Sequence, residues 1–177
     1  MSDGQRHRQI VELVEQFSEL LYRYAYRLTG NSVDAEDLTQ QTFLTAQQKL
    51  HQLRTLSAAR QWLLSIMRNS FLTSRRHPGK THSLEGIEET LSRDEAPEPL
   101  VDPNELQEAL LELTEEFRSP VILFYFENFT YQEISKHMGL PIGTVMSRLS
   151  RAKAFLRQRL SAVAGFDHQT CREKVPT

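Results

Sequence analysis

Cysteine is almost missing from this chain: Cys171 stands alone among 177 residues. Disulfide-stapled folds are therefore excluded, and the thiol content fits a reducing cytosol, so a cytoplasmic location is expected. Glycine and proline, at seven each, are too few for collagen-like or low-complexity chains. Long apolar runs are missing as well. The longest, Val121 to Phe126, is far below the roughly 20 residues that span a bilayer, so no membrane insertion is expected. Met1 to Gln9 are polar with no apolar segment behind them, so no secretory signal is expected. A P-loop, a dinucleotide-binding glycine fingerprint and a nucleophile elbow are all missing, and no catalytic residues emerge. The six histidines are scattered, and His168 with Cys171 could chelate a metal only with ligands from elsewhere, so neither metal nor cofactor is expected. There is no internal repeat. What remains, 39% apolar and 25% charged residues, is the composition of a globular protein.

The formal charge of -2 is a cancellation. From Met1 to Lys80, eleven basic residues face seven acidic ones; from Thr81 to Phe117, one faces twelve; from Arg118 to Thr177, nine face four. Two basic segments flank a strongly acidic one, an asymmetry more informative than the total. Pro78-Gly79 lies just before the acidic stretch, which itself holds Pro97, Pro99 and Pro103, and acid with proline makes a poor core. More than 20 residues of structureless loop inside a compact domain are unusual. The reading is all-α: two small helical domains, 8–77 and 104–161, joined by a flexible acidic linker, 78–103, with a tail at 162–177.

In the first domain Ile10, Val14, Phe17, Leu21 and Tyr24 recur at helical spacing, widened by Leu13, Leu20 and Leu28. Gly30-Asn31 ends that helix and Ser32 is placed to cap the next, whose first turn holds Asp34, Glu36 and Asp37. Its expected inner stripe is Ala35, Thr39, Phe43, Ala46 and Leu50, with Asp34, Asp37, Gln41 and Gln48 outside. A third helix, from about Ala58 to Arg76, points Trp62, Ile66 and Phe71 inward. That stripe favours a core role for Trp62 over a stacking platform. In the second domain Val121 to Phe126 alone fits a buried strand or a buried helix; without a strand partner it is read as helix. Pro120 removes a hydrogen bond from a helix that starts at Glu115, and a start nearer Arg118 relieves this.

The most specific pattern follows. Thr130 and Glu133 have capping-box spacing, Gly139 suits a left-handed stop, Pro141 bars continuation, and a second helix runs from about Gly143 to Leu160. This is a helix-turn-helix pattern. The second helix carries Arg148, Arg151, Lys153, Arg157 and Arg159 without an acid. Thr144, Met146, Ser147, Ser150 and Arg151 are its early outward candidates, where a recognition helix meets base edges.

Tyr131-Gln-Glu-Ile-Ser with Gly139-Leu-Pro-Ile-Gly-Thr-Val-Met-Ser-Arg-Leu-Ser-Arg-Ala-Lys153 resembles the C-terminal helix-turn-helix of bacterial RNA polymerase sigma factors of the extracytoplasmic-function (ECF) group. Asp34-Ala-Glu-Asp-Leu-Thr-Gln-Gln-Thr-Phe-Leu44 resembles that group's core-polymerase-binding helix, and Trp62 to Asn69 with Arg75-Arg76 its promoter -10 helix. The resemblance implies a core RNA polymerase contact through Asp34, Glu36, Asp37, Leu38, Gln40, Gln41 and Phe43. It implies a -10 contact by Arg54, Arg60, Arg68, Asn69, Arg75 and Arg76, with a flipped base near the loop from Leu53 to Ser57. It implies a -35 contact in promoter DNA by Thr144, Met146, Ser147, Arg148, Ser150, Arg151 and Lys153. An anti-sigma factor is a further implied partner, and the acidic linker is implied to follow the polymerase's RNA exit path. Gln41 stands where the family commonly carries an acid, and Met146 where arginine is frequent. The alternative, a stand-alone helix-turn-helix regulator, leaves the Asp34 to Leu44 helix unexplained.

Overall fold

The computed structural model describes residues 3–76 and 102–160. The expectations for the acidic segment before residue 102 and for the tail lie outside them. Every regular element among the described residues is helical, and the chain divides into two compact units.

The first unit packs α1 (Asp3–Thr29), α2 (Ser32–Gln48) and α3 (Ala59–Arg76) against one another. Leu13, Phe17, Leu21, Tyr24 and Leu28 form the inner face of α1, while Val14 is exposed and Ile10 and Leu20 only half-buried. Phe17, Leu21 and Tyr24 thus face inward as expected, with Leu13 and Leu28 completing the face in place of Ile10 and Val14. On α2 the buried residues are Ala35, Leu38, Thr42 and Ala46, whereas Thr39 and Phe43 sit at the edge. Thr42 is tolerated inside because its hydroxyl donates to the Leu38 carbonyl at 2.7 Å. On α3, Leu63, Leu64, Ile66, Met67 and Phe71 are buried, each stabilising by roughly 1.5–3 kcal/mol. Trp62 is half-buried at the margin rather than in the core.

Gly30, with φ of 81°, breaks α1 from α2. The cap of α2 is Asn31, not Ser32: its Oδ1 accepts the Asp34 amide at 2.8 Å and its Nδ2 donates to Asp34 Oδ2 at 2.8 Å. Between α2 and α3 the chain makes two short 3₁₀ turns, Leu50–Gln52 and Leu56–Ala58.

In the second unit α7 (Ile142–Leu160) is the spine, packed by α4 (Pro103–Glu112), α5 (Glu115–Val121) and α6 (Tyr131–Met138). Asp102 caps α4 and Pro103 opens it. α5 begins at Glu115 and keeps Pro120 in its interior, so the expected relief by a later start is not used. The carbonyl that a residue-120 amide would meet, that of Glu116, takes Arg148 Nη1 instead at 3.5 Å. Beyond Val121 the helix widens into a π turn, Ile122–Phe126, closed by the Glu127 amide on the Ile122 carbonyl at 3.1 Å. Asn128, with φ of 54°, then reverses the chain.

Arg118 has a role that counting charges misses. It is only 3% exposed and donates to three carbonyls at the end of α4: Leu110 at 2.8 Å, Leu111 at 2.6 Å and Leu113 at 2.7 Å. α4 has no glycine at its C-terminus, and this buried guanidinium serves as its cap.

Candidate nucleic-acid and partner interface

Two surfaces, one per unit, collect the residues singled out by the sequence. The first is the outer face of α2. Asp34, Glu36, Asp37, Gln40 and Gln41 are all exposed there. Asp34 is already tied to its own cap through Asn31, so Glu36 and Asp37 carry the acid most available to a partner. Leu38, expected on this surface, is 8% exposed and belongs to the core, because its position shares the inward face with Thr42. Phe43 is half-buried. The apolar groups that do face solvent are Val33 and Leu44, the latter 54% exposed. They stand a whole number of turns apart and bracket Asp37 and Gln40 on one stripe. Adjacent apolar pairs, Phe43-Leu44 among them, hid this choice in the sequence. A cleft beside Glu36 and Gln40 runs to α1, where Ser18, Glu19 and Tyr22 form its other wall.

On the same unit, Arg54 is exposed in the loop before α3, and Arg60 and Arg68 are half-buried on α3. Asn69 is exposed on the side of α3 away from the core, two turns from Trp62 on one edge. Arg75 places its guanidinium 5.2 Å from the Phe71 ring centre, a cation–π contact. Arg76 closes α3. Leu56, exposed in the loop expected to receive a flipped base, opens on a cleft whose opposite wall is α1, with Gln5, Arg8, Gln9 and Glu12. Sequence spacing gave no sign of that α1 wall, since it comes from tertiary packing alone.

The second surface is the helix-turn-helix. The Thr130 hydroxyl accepts the Glu133 amide at 3.2 Å and the Glu133 carboxylate accepts the Thr130 amide at 2.8 Å, completing the capping box. Gly139, at φ 65°, ends α6, and the Leu140 amide donates to the Ser135 carbonyl at 3.0 Å. The Thr144 and Val145 amides donate to the Pro141 carbonyl at 2.9 and 3.2 Å, which starts α7. Val145, Leu149, Ala152, Leu156 and Leu160 pack inward, and Phe155 is exposed.

The helical period then presents Met146, Ser147, Ser150, Arg151 and Arg157 to solvent, with Thr144 and Lys153 half-buried at the margins. Arg148 and Arg159 of α7 are engaged by acids of the same unit. Arg148 bonds Glu116 at 2.9 Å, and Arg159 bonds Glu112 at 2.8 Å. The hydrogen bond to Glu112, and then its charge, hold the Arg159 guanidinium above its ordinary pKa. Arg148, expected among the DNA contacts, thus ties α7 to α5 in the free protein.

Residues 13–81 match the family described as Sigma-70 region 2, and residues 104–156 that described as Sigma-70, region 4. The ECF RNA polymerase sigma factor SigE of Mycolicibacterium smegmatis is 37% identical over 85% of this chain, which spans 61% of that protein's length. The ECF RNA polymerase sigma factor SigL of Mycobacterium tuberculosis is 34% identical over 84% of this chain and 86% of its own. The sigma factor RpoE of Bartonella quintana, solved in complex with the anti-sigma factor NepR, superposes with a TM-score of 0.71 at 27% identity, covering 89% of this chain and 99% of that one. The chain belongs to the ECF group of RNA polymerase sigma factors.

Proposed function

We propose that this sigma factor binds core RNA polymerase in the cytoplasm and directs initiation at promoters that it selects through their -10 and -35 elements. The observation that carries this reading is the outer face of α2. Glu36 and Asp37 are exposed there beside the exposed apolar Val33 and Leu44, and they share a chain with a solvent-facing recognition helix. A regulator acting without polymerase needs only the second of these surfaces.

In this reading Glu36, Asp37, Gln40 and Gln41 meet a basic polymerase surface, with Val33, Phe43 and Leu44 as apolar anchors. Asp34 supports them from the helix cap. Arg54, Arg60, Arg68, Asn69, Arg75 and Arg76 hold the -10 element, and the Leu56 cleft receives an unstacked base. Unstacking costs a few kcal/mol, which these contacts offset. Thr144, Met146, Ser147, Ser150, Arg151 and Lys153 meet the -35 element in the major groove. The role is recognition rather than catalysis. The complex of RpoE with NepR supports an anti-sigma factor as a further partner of this chain.

Run-off transcription with purified bacterial core polymerase and a promoter library tests the proposal. Chain-dependent initiation from a subset of promoters is expected. Absence of initiation together with absence of core binding would refute it.

A further inference from the structure

The outward face of α7 changes character along its length. Ile142 is 43% exposed and Met146 is 51% exposed, one turn apart on the same side. Continuing along that side come Ser150, Lys153 and Arg157. The face begins apolar and ends cationic. The core of the second unit does not require the apolar end, since Val145, Leu149, Ala152, Leu156 and Leu160 carry the packing of α7. Gly143 lies beside the pair, and a Cβ built there would meet nothing within 4 Å. Internal packing therefore does not demand glycine at this position, although glycine costs a helix about 1 kcal/mol relative to alanine. A bare backbone next to two exposed apolar side chains suits close approach by a partner.

The charge at the far end of the face says what the partner is. Early residues of a recognition helix meet base edges while later cations meet phosphates. Within the major groove the apolar group on offer is the 5-methyl of thymine. Methionine cannot donate the paired hydrogen bonds by which arginine selects guanine, but its flexible, polarisable thioether packs well on a methyl. We infer that Met146, flanked by Ile142, reads the 5-methyl group of a thymine in the -35 element, and that Met146 is a specificity-determining residue of this sigma factor. The inference rests on α7 being the -35 recognition helix.

The test uses holoenzyme assembled from the full chain and core polymerase. A promoter library randomised at -35 identifies the preferred element, and each of its thymines is then replaced by deoxyuridine, which removes only the methyl. At the contacted position the wild-type complex is expected to weaken about fourfold, the worth of one buried methyl. Met146→Ala and Met146→Gln, both at an exposed site that leaves the fold intact, are expected to bind thymine and uracil templates alike while keeping the remaining base preferences. If the wild-type holoenzyme selects no -35 sequence, the recognition-helix reading fails and the inference fails with it. If it selects an element whose uracil versions all bind equally well, the inference alone is overturned. Weaker binding of Met146→Ala to core polymerase, with thymine discrimination intact, marks the patch as a polymerase contact and also overturns it.

Discussion

Arg118→Met removes three hydrogen bonds while keeping an apolar side chain of similar length. The guanidinium spans the carbonyls of Leu110, Leu111 and Leu113 within 2.6–2.8 Å. A hydrogen bond from a charged donor contributes about 1.5–3 kcal/mol, so three set a ceiling of roughly 4.5–9 kcal/mol. Two effects reduce it. The bond to the Leu111 carbonyl is only part-buried, so water can replace that donor. Removing a buried charge also recovers part of its desolvation cost. A loss of about 3–5 kcal/mol is expected, against about 3–9 kcal/mol in total for a unit of this size. Urea unfolding of the full chain separates the two units. The single tryptophan, Trp62, lies on α3, so its fluorescence follows the first unit, whereas far-ultraviolet circular dichroism follows both. The variant should lose its second-unit helicity at much lower urea while the tryptophan transition stays in place. Destabilisation below about 1 kcal/mol, the range of an ordinary surface change, would refute the capping role. Arg118→Lys should recover little, because the three bonds leave from two fixed nitrogens, Nε and Nη2, whereas an ammonium donates from a single point.

Asp37→Arg should weaken core polymerase binding about tenfold or more, since it puts like charge against a basic surface. DNA affinity of the second unit should be unchanged, as read by competition for core against gel-shift on a -35 duplex. Arg151→Ala should cost about 1–3 kcal/mol on the preferred -35 element and little on mismatched ones. Equal loss on every sequence would make Arg151 a phosphate contact.

What could be read from the sequence was what is local. Thr130, Glu133, Gly139 and Pro141 set the bounds of α6 and the turn because their hydrogen bonds and dihedral angles involve neighbours a few residues away. The helical class was legible for the same reason, as each stripe repeats within its own segment. The register of those stripes was harder to read. Leu13-Val14, Leu38-Thr39 and Trp62-Leu63 each offer two adjacent candidates for the interior, and only packing against a second helix chooses between them. On α3, Ile66 and Phe71 are buried as expected, but Leu63 takes the interior place expected of the adjacent Trp62. Asn31 and Ser32 are both good caps, and the backbone angles of Asn31 decide which one acts. Arg118, the α1 wall of the Leu56 cleft and the pairing of Arg148 with Glu116 depend on residues brought together by the fold, so no short window contains them.

That last pairing changes how the charge of α7 should be counted. Five cations suggest five phosphate contacts, but Arg148 and Arg159 are held by Glu116 and Glu112. At most three, Arg151, Lys153 and Arg157, then release counterions when α7 meets DNA. Each phosphate neutralised steepens the dependence of log affinity on log salt by about 0.9. Glu116→Gln keeps a polar side chain at this position and removes the charge that holds Arg148. If Arg148 is withheld from DNA in the wild-type chain, the variant should bind a -35 duplex more tightly, with a salt slope steeper by about 0.9. The measurement is a set of binding isotherms of the full chain across salt concentrations, with Arg148→Ala as reference. In the Arg148→Ala background, Glu116→Gln should leave the slope where it was. An unchanged slope in Glu116→Gln alone, with weaker binding, would mean that Glu116 presents Arg148 to a phosphate rather than withholding it.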